Sequence, residues 1–578
     1  MTAKKMRKSH SSTTATAVFT RRTVLVLICV LILVSIALRY PRVEHERLQT
    51  DSYFIHTLAQ SIVDYDQAKW TYNVFSYFGQ FPLSYPSGVP FILAEMSELT
   101  GLTVEVCILL LDIMLSIIFC LAVFCLSREF VSLSQYALLA TFFAILGPRF
   151  VDTTYWDASA RGAGVVLIIL LVFLLFRSGL LSSRGYWILA ILIGFTCFTV
   201  HRISVFIILF GLAYAMAVPC YRYVRLNSLS RKRRYVVAGF MALGAGVMLL
   251  TLSVFEMLGL SVETSFSDTG RFPWGPPVLT VVLNAGVSYA HQIGFIILPA
   301  AIGLVAVFRR SSLSLKAIYP AAVILAFLPV VGNSLYVSMV ILPFVSVLGV
   351  MWLATVIRKS TSKRMVAIGL VLLTTSSVVL TVWSVDRWND WEVREGGRVE
   401  VDPRVFSDAT YLDANAGGMY AVASQDMLFV QFAATTDLVF IRSGINSVLT
   451  GDVSEEDVEA NTELSREKFP KTLYSWFTYT DYYFIDIFVW SLMTFGVGFP
   501  GDLPWTSGKT TDYANTHSHL YVIVDNRYPG EYSDPNGEYA SKYLLQLRNA
   551  TTSGTDPEFS YLVYQSQGIS VFLVRLDV

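Results

Sequence analysis

The sequence predicts a polytopic α-helical membrane protein with an exterior C-terminal soluble domain of α/β or α+β class. Three observations predict it. Hydrophobic residues make up 54% of the 578 and charged residues only 15%, against ~25% charged in ordinary soluble domains. Apolar runs close to or beyond the ~17–20 residues that cross a bilayer recur along the first two-thirds of the chain. After residue 384 the apolar runs shorten to strand length and polar stretches separate them. The formal net charge of zero hides a segregation of basic and acidic residues into different loops.

The N-terminus is basic (Lys4, Lys5, Arg7, Lys8, Arg21, Arg22) and precedes the apolar run Thr23–Leu38. A secretory signal peptide begins in the same way, but no small-x-small cleavage site follows, and the flank is Arg39-Tyr40-Pro41-Arg42. Residues 1–21 are therefore expected in the cytoplasm, ahead of an uncleaved first helix. Candidate spans are 22–39, 103–126, 135–149, 163–181, 186–200, 203–220, 235–258, 291–308, 317–332, 335–357 and 365–384. If they cross in alternation, Arg177 and Arg184, the Arg222–Arg234 cluster, Arg309, Arg310 and Lys316, and Arg358, Lys359, Lys363 and Arg364 all fall on the inner side. About eleven transmembrane helices result, so residues 22–384 form the membrane domain and 385–578 lie outside.

The first outer loop, residues 40–102, is too long for a simple connection. Phe54, Leu58 and Ile62 recur every four residues after Asp51, which predicts a helix lying on the membrane with its apolar face down. Prolines in Phe81–Pro90, including Tyr85-Pro86-Ser87-Gly88, predict a fixed turn into the next span. The loop after residue 259 holds a second stiff stretch, Arg271–Pro277. In the tail, Met419–Val422, Leu428–Phe432, Leu438–Ile441, Leu520–Val524 and Ile569–Val574 read as buried strands, and Val453–Lys468 and Glu538–Leu547 suit helices. All six cysteines lie at or before Cys220, and neither Cys nor His shows metal-ligand spacing. With no GxGxxG after a strand, no P-loop and no HExxH, nucleotide-driven chemistry has no visible apparatus.

Chemistry is expected where charge meets the outer membrane face. Asp51, just past the first span, serves either as a general base or as the N-cap of the helix it begins. Asp64-Tyr65-Asp66 is a formal D-x-D better read as solvated surface. Asp152, Asp157 and Arg161 share the second outer loop, where they could bind a metal-pyrophosphate or orient a sugar; Tyr155 and Trp156 beside them also suit interface anchoring. His201 and Arg202, at the junction of two short spans, either hold a lipid phosphate or snorkel to headgroups. Asp112 lies mid-span and is expected to serve structural pairing, nearer the membrane centre than the outer site. Glu256, Arg271 and His291 are weaker candidates, and Asn549-Ala550-Thr551 is a glycosylation sequon.

With these residues in place, the chain resembles the GT-C superfamily of integral-membrane glycosyltransferases over about residues 20–390. The likeness rests on Asp51 with its interfacial helix, the Tyr85-Pro86-Ser87-Gly88 turn, an acidic second loop ending in Ser159-Ala160-Arg161-Gly162, and an exterior C-terminal domain. The resemblance implies a polyprenyl- or dolichyl-phosphate-linked sugar donor and a glycan, lipid or protein acceptor, with no nucleic acid involved. It makes Asp51 the catalytic base or a metal ligand, maps the second-loop acids onto Asp152 and Asp157, and leaves a divalent cation (Mg or Mn) held by these three acids open. The oligosaccharyltransferase members carry Trp-Trp-Asp in the exterior domain. No two tryptophans are adjacent here, which speaks against transfer of a whole oligosaccharide to asparagine. The expected function is transfer of a sugar to an acceptor on the outer face of the cell membrane. The alternatives are a transporter or flippase of lipid-linked glycans, which would place polar groups at the midplane and often show repeats, and a non-catalytic scaffold whose acids only cap helices.

Overall fold

A computed structural model of the chain describes residues 19–41, 46, 50–65, 88–131, 133–177, 184–226, 286–309, 314–327, 334–394, 412, 414, 420–423, 439–440, 519–525, 560–565 and 569–575. Its helices are α1 Arg21–Ala37, α2 Thr50–Tyr65, α3 Gly88–Thr100, α4 Val104–Phe130, α5 Ser134–Ile145, α6 Pro148–Asp152, α7 Ala160–Arg177, α8 Arg184–Val200 and α9 Ile207–Leu226. Further on come α10 Gly286–Ile293, α11 Ile297–Arg309, α12 Leu315–Ala326, α13 Ser334–Lys359 and α14 Lys363–Arg394. Side-chain caps start several of them: Thr20 accepts from Thr23 N–H, Thr103 from Val106 N–H and Ser314 from Ala317 N–H. Pro148 opens α6, where its missing N–H costs nothing.

Four of these helices have the length and apolar composition to cross a membrane, and α10 and α11 make a fifth, broken span. Span 291–308 was expected as a single helix. Instead the chain bends by 109° between α10 and α11, at Gly294, whose φ of 92° suits a residue without a Cβ. The expected span 235–258 lies outside the described residues.

The bundle is polar at two ends. At one, Glu129 near the end of α4 accepts from Arg177 at 3.4 Å and from Lys316 at 3.1 Å, and Arg358 lies 5.6 Å over the Tyr136 ring. These are cations of the basic loops, gathered from α7, α12 and α13. At the other end, Trp156 Nε1–H donates to the Glu105 carbonyl in the first turn of α4 at 3.1 Å. Glu105 and Glu129 are separated by roughly 36 Å of helix, so the acidic loop and the basic cluster occupy opposite faces of the bundle. Between them runs an apolar core that includes Phe130, Phe176, Phe210, Tyr319 and Phe344 in ring contact. The portion of α13 that lies in this core is central, whereas α14 is peripheral, with most of its apolar length outside the protein interior.

Helix α2 departs from the membrane-surface expectation. Its buried residues Ser52, Ile55, His56 and Ala59 follow helical spacing and turn to protein, against α3 and α4; Leu58 is buried with them. The side chain of Phe54 lies outside the described residues. A stripe containing a serine and a histidine faces partners that can bond them, which a lipid tail cannot.

In the tail, strands β1 Tyr420–Ala423, β2 Val439–Phe440, β3 His519–Asp525, β4 Ser560–Gln565 and β5 Ile569–Arg575 form one sheet in the order β2-β1-β3-β5-β4. β1 pairs in parallel with β2 and β3, while β5 pairs antiparallel with β3 and β4. Four of the five expected apolar runs supply strands. The run Leu428–Phe432 and the two expected tail helices lie outside the described residues, and β4 had not been anticipated.

Candidate active site

The site begins at α6 and the segment 153–159 that leads into α7. All of its residues, Pro148 through Ala160, are buried. Arg149 Nη1 bonds the Asp152 carboxylate at 2.5 Å across one helical turn, which lets both charges leave water together. Thr153 and Thr154 return their hydroxyls to the carbonyls of Arg149 and Phe150. Trp156 sits at φ 49°, a conformation that costs a bulky residue ~1–3 kcal/mol; its bond to the Glu105 carbonyl holds it there. Tyr155 is wholly buried against Val151, Val385 and Leu38. Neither aromatic ring is an interface anchor, because protein rather than headgroups surrounds both.

The next two backbone amides are each taken by a side chain from another element. Asp157 N–H donates to Asp112 Oδ2 on α4 at 2.9 Å, and Ala158 N–H donates to Ser52 Oγ on α2 at 2.8 Å. Ser52 in turn donates to Glu46 Oε2 at 3.4 Å, His56 Nδ1 meets Glu46 Oε1 at 2.5 Å, and Glu46 N–H donates to Glu105 Oε1 at 3.0 Å. Asp112 was expected to pair structurally, apart from the outer site; it bonds the acidic segment itself. The reason is depth. Asp112 lies about 12 Å along α4 from its start, and the segment descends into the bundle to meet it. Arg39, fully buried after α1, donates from Nε to Thr154 Oγ1 at 2.7 Å and from Nη1 to the Ser35 carbonyl at 2.9 Å, with its guanidinium 5.2 Å from the Phe150 ring centre. Its Nη2 has no hydrogen-bond partner among the described residues.

Where α7 begins, a cation joins the acids. The Arg161 guanidinium stands 5.4 Å over the Tyr336 ring of α13, and the His201 ring lies 5.8 Å from the same tyrosine. His201 is buried and its Nδ1 accepts Ile203 N–H at 3.0 Å, so Nε2 carries the proton in the neutral ring. It does not snorkel. The two glycines beside Arg161 permit this packing: a Cβ on Gly162 would stand 2.7 Å from Thr154 Cγ2, and one on Gly164 would stand 2.5 Å from Ile203 Cγ2 and 3.3 Å from His201 Cβ.

Of the expected residues, Asp152 and Asp157 lie along one buried segment, Arg161 follows it half-buried, and His201 reaches Arg161 through Tyr336. Asp51 and Arg202 have described backbones, in α2 and in the 3-10 turn Arg202–Phe206, but their side chains lie outside the described residues. Asp66, Glu256, Arg271 and Asn549 also lie outside, as does the Asp64 side chain. His291 is elsewhere, against Ser384 at 3.4 Å and Trp383. Arg39, Glu46, Ser52, His56, Arg149 and Tyr336 were missed. Only Arg149, one turn before Asp152, left a local signal.

Among the described residues no three of His, Cys, Asp and Glu are grouped to hold a metal ion. The Asp152 carboxylate is engaged by Arg149, and Asp112 by a backbone amide. Of the three acids expected to hold a divalent cation, Asp152 and Asp157 are described, and the Asp51 side chain lies outside the described residues.

No family model matches the chain, and no curated protein matches it in sequence. Solved structures do match. The oligosaccharyltransferase of Archaeoglobus fulgidus in its apo form has TM-score 0.54 at 11% identity, over 96% of this chain and 74% of that one. The same enzyme with Zn and sulfate gives 0.53 at 10% identity, over 89% and 71%. The archaeal oligosaccharyltransferase AglB from A. fulgidus, with an inhibitory peptide and a dolichol-phosphate, gives 0.50 at 11%, over 95% and 74%. The likeness is one of fold: the chain shares the architecture of this archaeal oligosaccharyltransferase.

Proposed function

We propose that the protein is a membrane glycosyltransferase that moves a sugar from a polyprenyl- or dolichyl-phosphate carrier to an acceptor hydroxyl at the non-cytoplasmic face. The observation that carries this reading is the hydrogen bond from Ala158 N–H to Ser52 Oγ at 2.8 Å. It joins the residue after Asp51 to the residue after Asp157, so the two acidic connections meet at one place. Arg161 lies three residues further along, its charge held over Tyr336. The shared fold, found in an enzyme solved with a dolichol-phosphate, supports a lipid-phosphate donor.

In this reading the Asp51 carboxylate takes the proton from the acceptor hydroxyl. The freed oxygen forms a bond to the anomeric carbon as the bond from that carbon to the phosphate oxygen breaks. The electron pair leaves with the phosphate, whose charge Arg161 or Arg202 stabilises. A single displacement inverts the anomeric centre. Residues 1–21 lie in the cytoplasm, about eleven helices over 22–384 cross the cell membrane, and an exterior domain over 385–578 positions the acceptor. The absence of adjacent tryptophans favours transfer of a single sugar.

The test is Asp51→Asn, assayed in membranes with a labelled polyprenyl-phosphate sugar. Removing a general base lowers transfer by about 10²–10⁴-fold at normal protein abundance. Transfer at the wild-type rate would remove Asp51 from the reaction.

A further inference from the structure

We infer that Ser52, backed by the buried Glu46–His56 pair, is a positioning residue for this transfer. It locks the start of α2, and with it the backbone of Asp51, in fixed register with the acidic segment 152–159. The inference rests on the glycosyltransferase reading for its functional half, and on geometry alone for its structural half.

The geometry is a clasp with two jaws. The successive amides of Asp157 and Ala158 point to different elements, one to Asp112 on α4 and the other to Ser52 on α2. A shift of the segment toward either helix breaks the bond to the other, and each broken bond strands a buried N–H. Ser52 has no exposed surface and is fully committed: its oxygen accepts from Ala158 and its hydroxyl proton goes to Glu46. That orientation is enforced from behind. Glu46 is 1% exposed, and a carboxylate so buried requires donors. His56 supplies one from Nδ1, one turn along α2 from Ser52, and Ser52 supplies the second. If Glu46 takes the serine proton, Ser52 can meet Ala158 only as an acceptor, the role a backbone amide needs. Glu46 is also tied through its own N–H to Glu105, whose carbonyl holds Trp156 at the strained corner of the same segment.

The network thus connects both outer connections to α4 without using the groups assigned to proton transfer or phosphate binding. Misplacing a reacting group by 1 Å can cost about 10²-fold in rate without touching affinity. Loss of the clasp should therefore appear in kcat and spare the donor KM.

The experiment compares the full-length wild type with Ser52→Ala in lipid nanodiscs. It uses a labelled polyprenyl-phosphate sugar for steady-state kinetics and hydrogen–deuterium exchange at the amides of 157 and 158. The expected result is a kcat lower by about tenfold or more, a donor KM within about twofold of wild type, and faster exchange at both amides. Unchanged amide exchange, or unchanged kcat, overturns the inference; so does a rise in KM that accounts for the whole loss. If the wild type transfers no sugar, the glycosyltransferase reading fails and the positioning role falls with it, while the exchange comparison still decides whether Ser52 clasps the segment.

Discussion

Asp112 offers the sharpest energetic test, because one side chain does two separable things. Its Oδ2 accepts the buried amide of Asp157 at 2.9 Å, and its carboxyl group interacts across space with the fully buried guanidinium of Arg39. Asp112→Asn keeps the accepting oxygen in place and replaces only the second carboxyl oxygen by an amide nitrogen. Asp112→Ala removes both. The difference between the two variants is the cost of leaving the Asp157 N–H unpaired in the interior, about 1–3 kcal/mol. The cost of Asp112→Asn itself is smaller than the ~3–5 kcal/mol of breaking a directly bonded buried pair, since Asp112 and Arg39 act on each other across space. Unfolding by SDS titration in mixed micelles, followed by tryptophan fluorescence, measures both quantities. The predicted order is wild type, then Asn, then Ala, with the larger step at Ala. Equal stability of the Asn and Ala variants would show that Asp112 does not satisfy the loop amide, and the placement of the acidic segment would be refuted with it.

Two further outcomes concern the cationic corner. Tyr336→Leu removes the ring under Arg161, a contact of about 0.5–2 kcal/mol; if Arg161 holds the donor phosphate, donor KM rises while kcat stays close to wild type. Gly164→Val pushes new carbon atoms into Ile203 and His201, where even a Cβ would stand at 2.5 and 3.3 Å. Overpacking of this kind costs about 1–3 kcal/mol, read as a lower unfolding midpoint, whereas Gly211→Ala, with no described atom within 4 Å of its Cβ, does not lower the midpoint, since Ala favours a helix over Gly.

Length and hydropathy made most of the helices legible, since a bilayer demands long apolar runs and the chain supplies them. The break at Gly294 was not legible, because one glycine in an apolar run reads as a tolerated interruption until φ is known. Helix α2 was found but its surroundings were not: Phe54, Leu58 and Ile62 suggested lipid, whereas Ser52 and His56 on the other stripe decided for protein. In the site, Asp152, Asp157 and Arg161 stood out as charges within ten residues of one another. The partners that fix them did not. Ser52 meets Ala158 across 106 positions and Asp157 meets Asp112 across 45, and no periodicity or spacing encodes such pairings. Glu46 carried no local signal at all, since its role comes from burial rather than from neighbours in sequence. The strand Ser560–Gln565 was missed because tyrosines and polar residues at its ends dilute a short apolar centre.

The corner at Gly294 bears on how much freedom α6 has. A chain that reverses at membrane depth must keep its amides occupied, as hydrocarbon offers them nothing. Here Gly294 N–H returns to the Ala290 carbonyl and Ile297 N–H to that of Gly294, so these two amides are met within the elbow. It also abuts Pro148, whose Cδ would stand 3.9 Å from a Cβ at that position. The short helix bearing Asp152 thus has the elbow as one neighbour and α14 as another. Any motion of this helix must carry the elbow or α14 with it, so the Arg149–Asp152 pair keeps its place in the bundle.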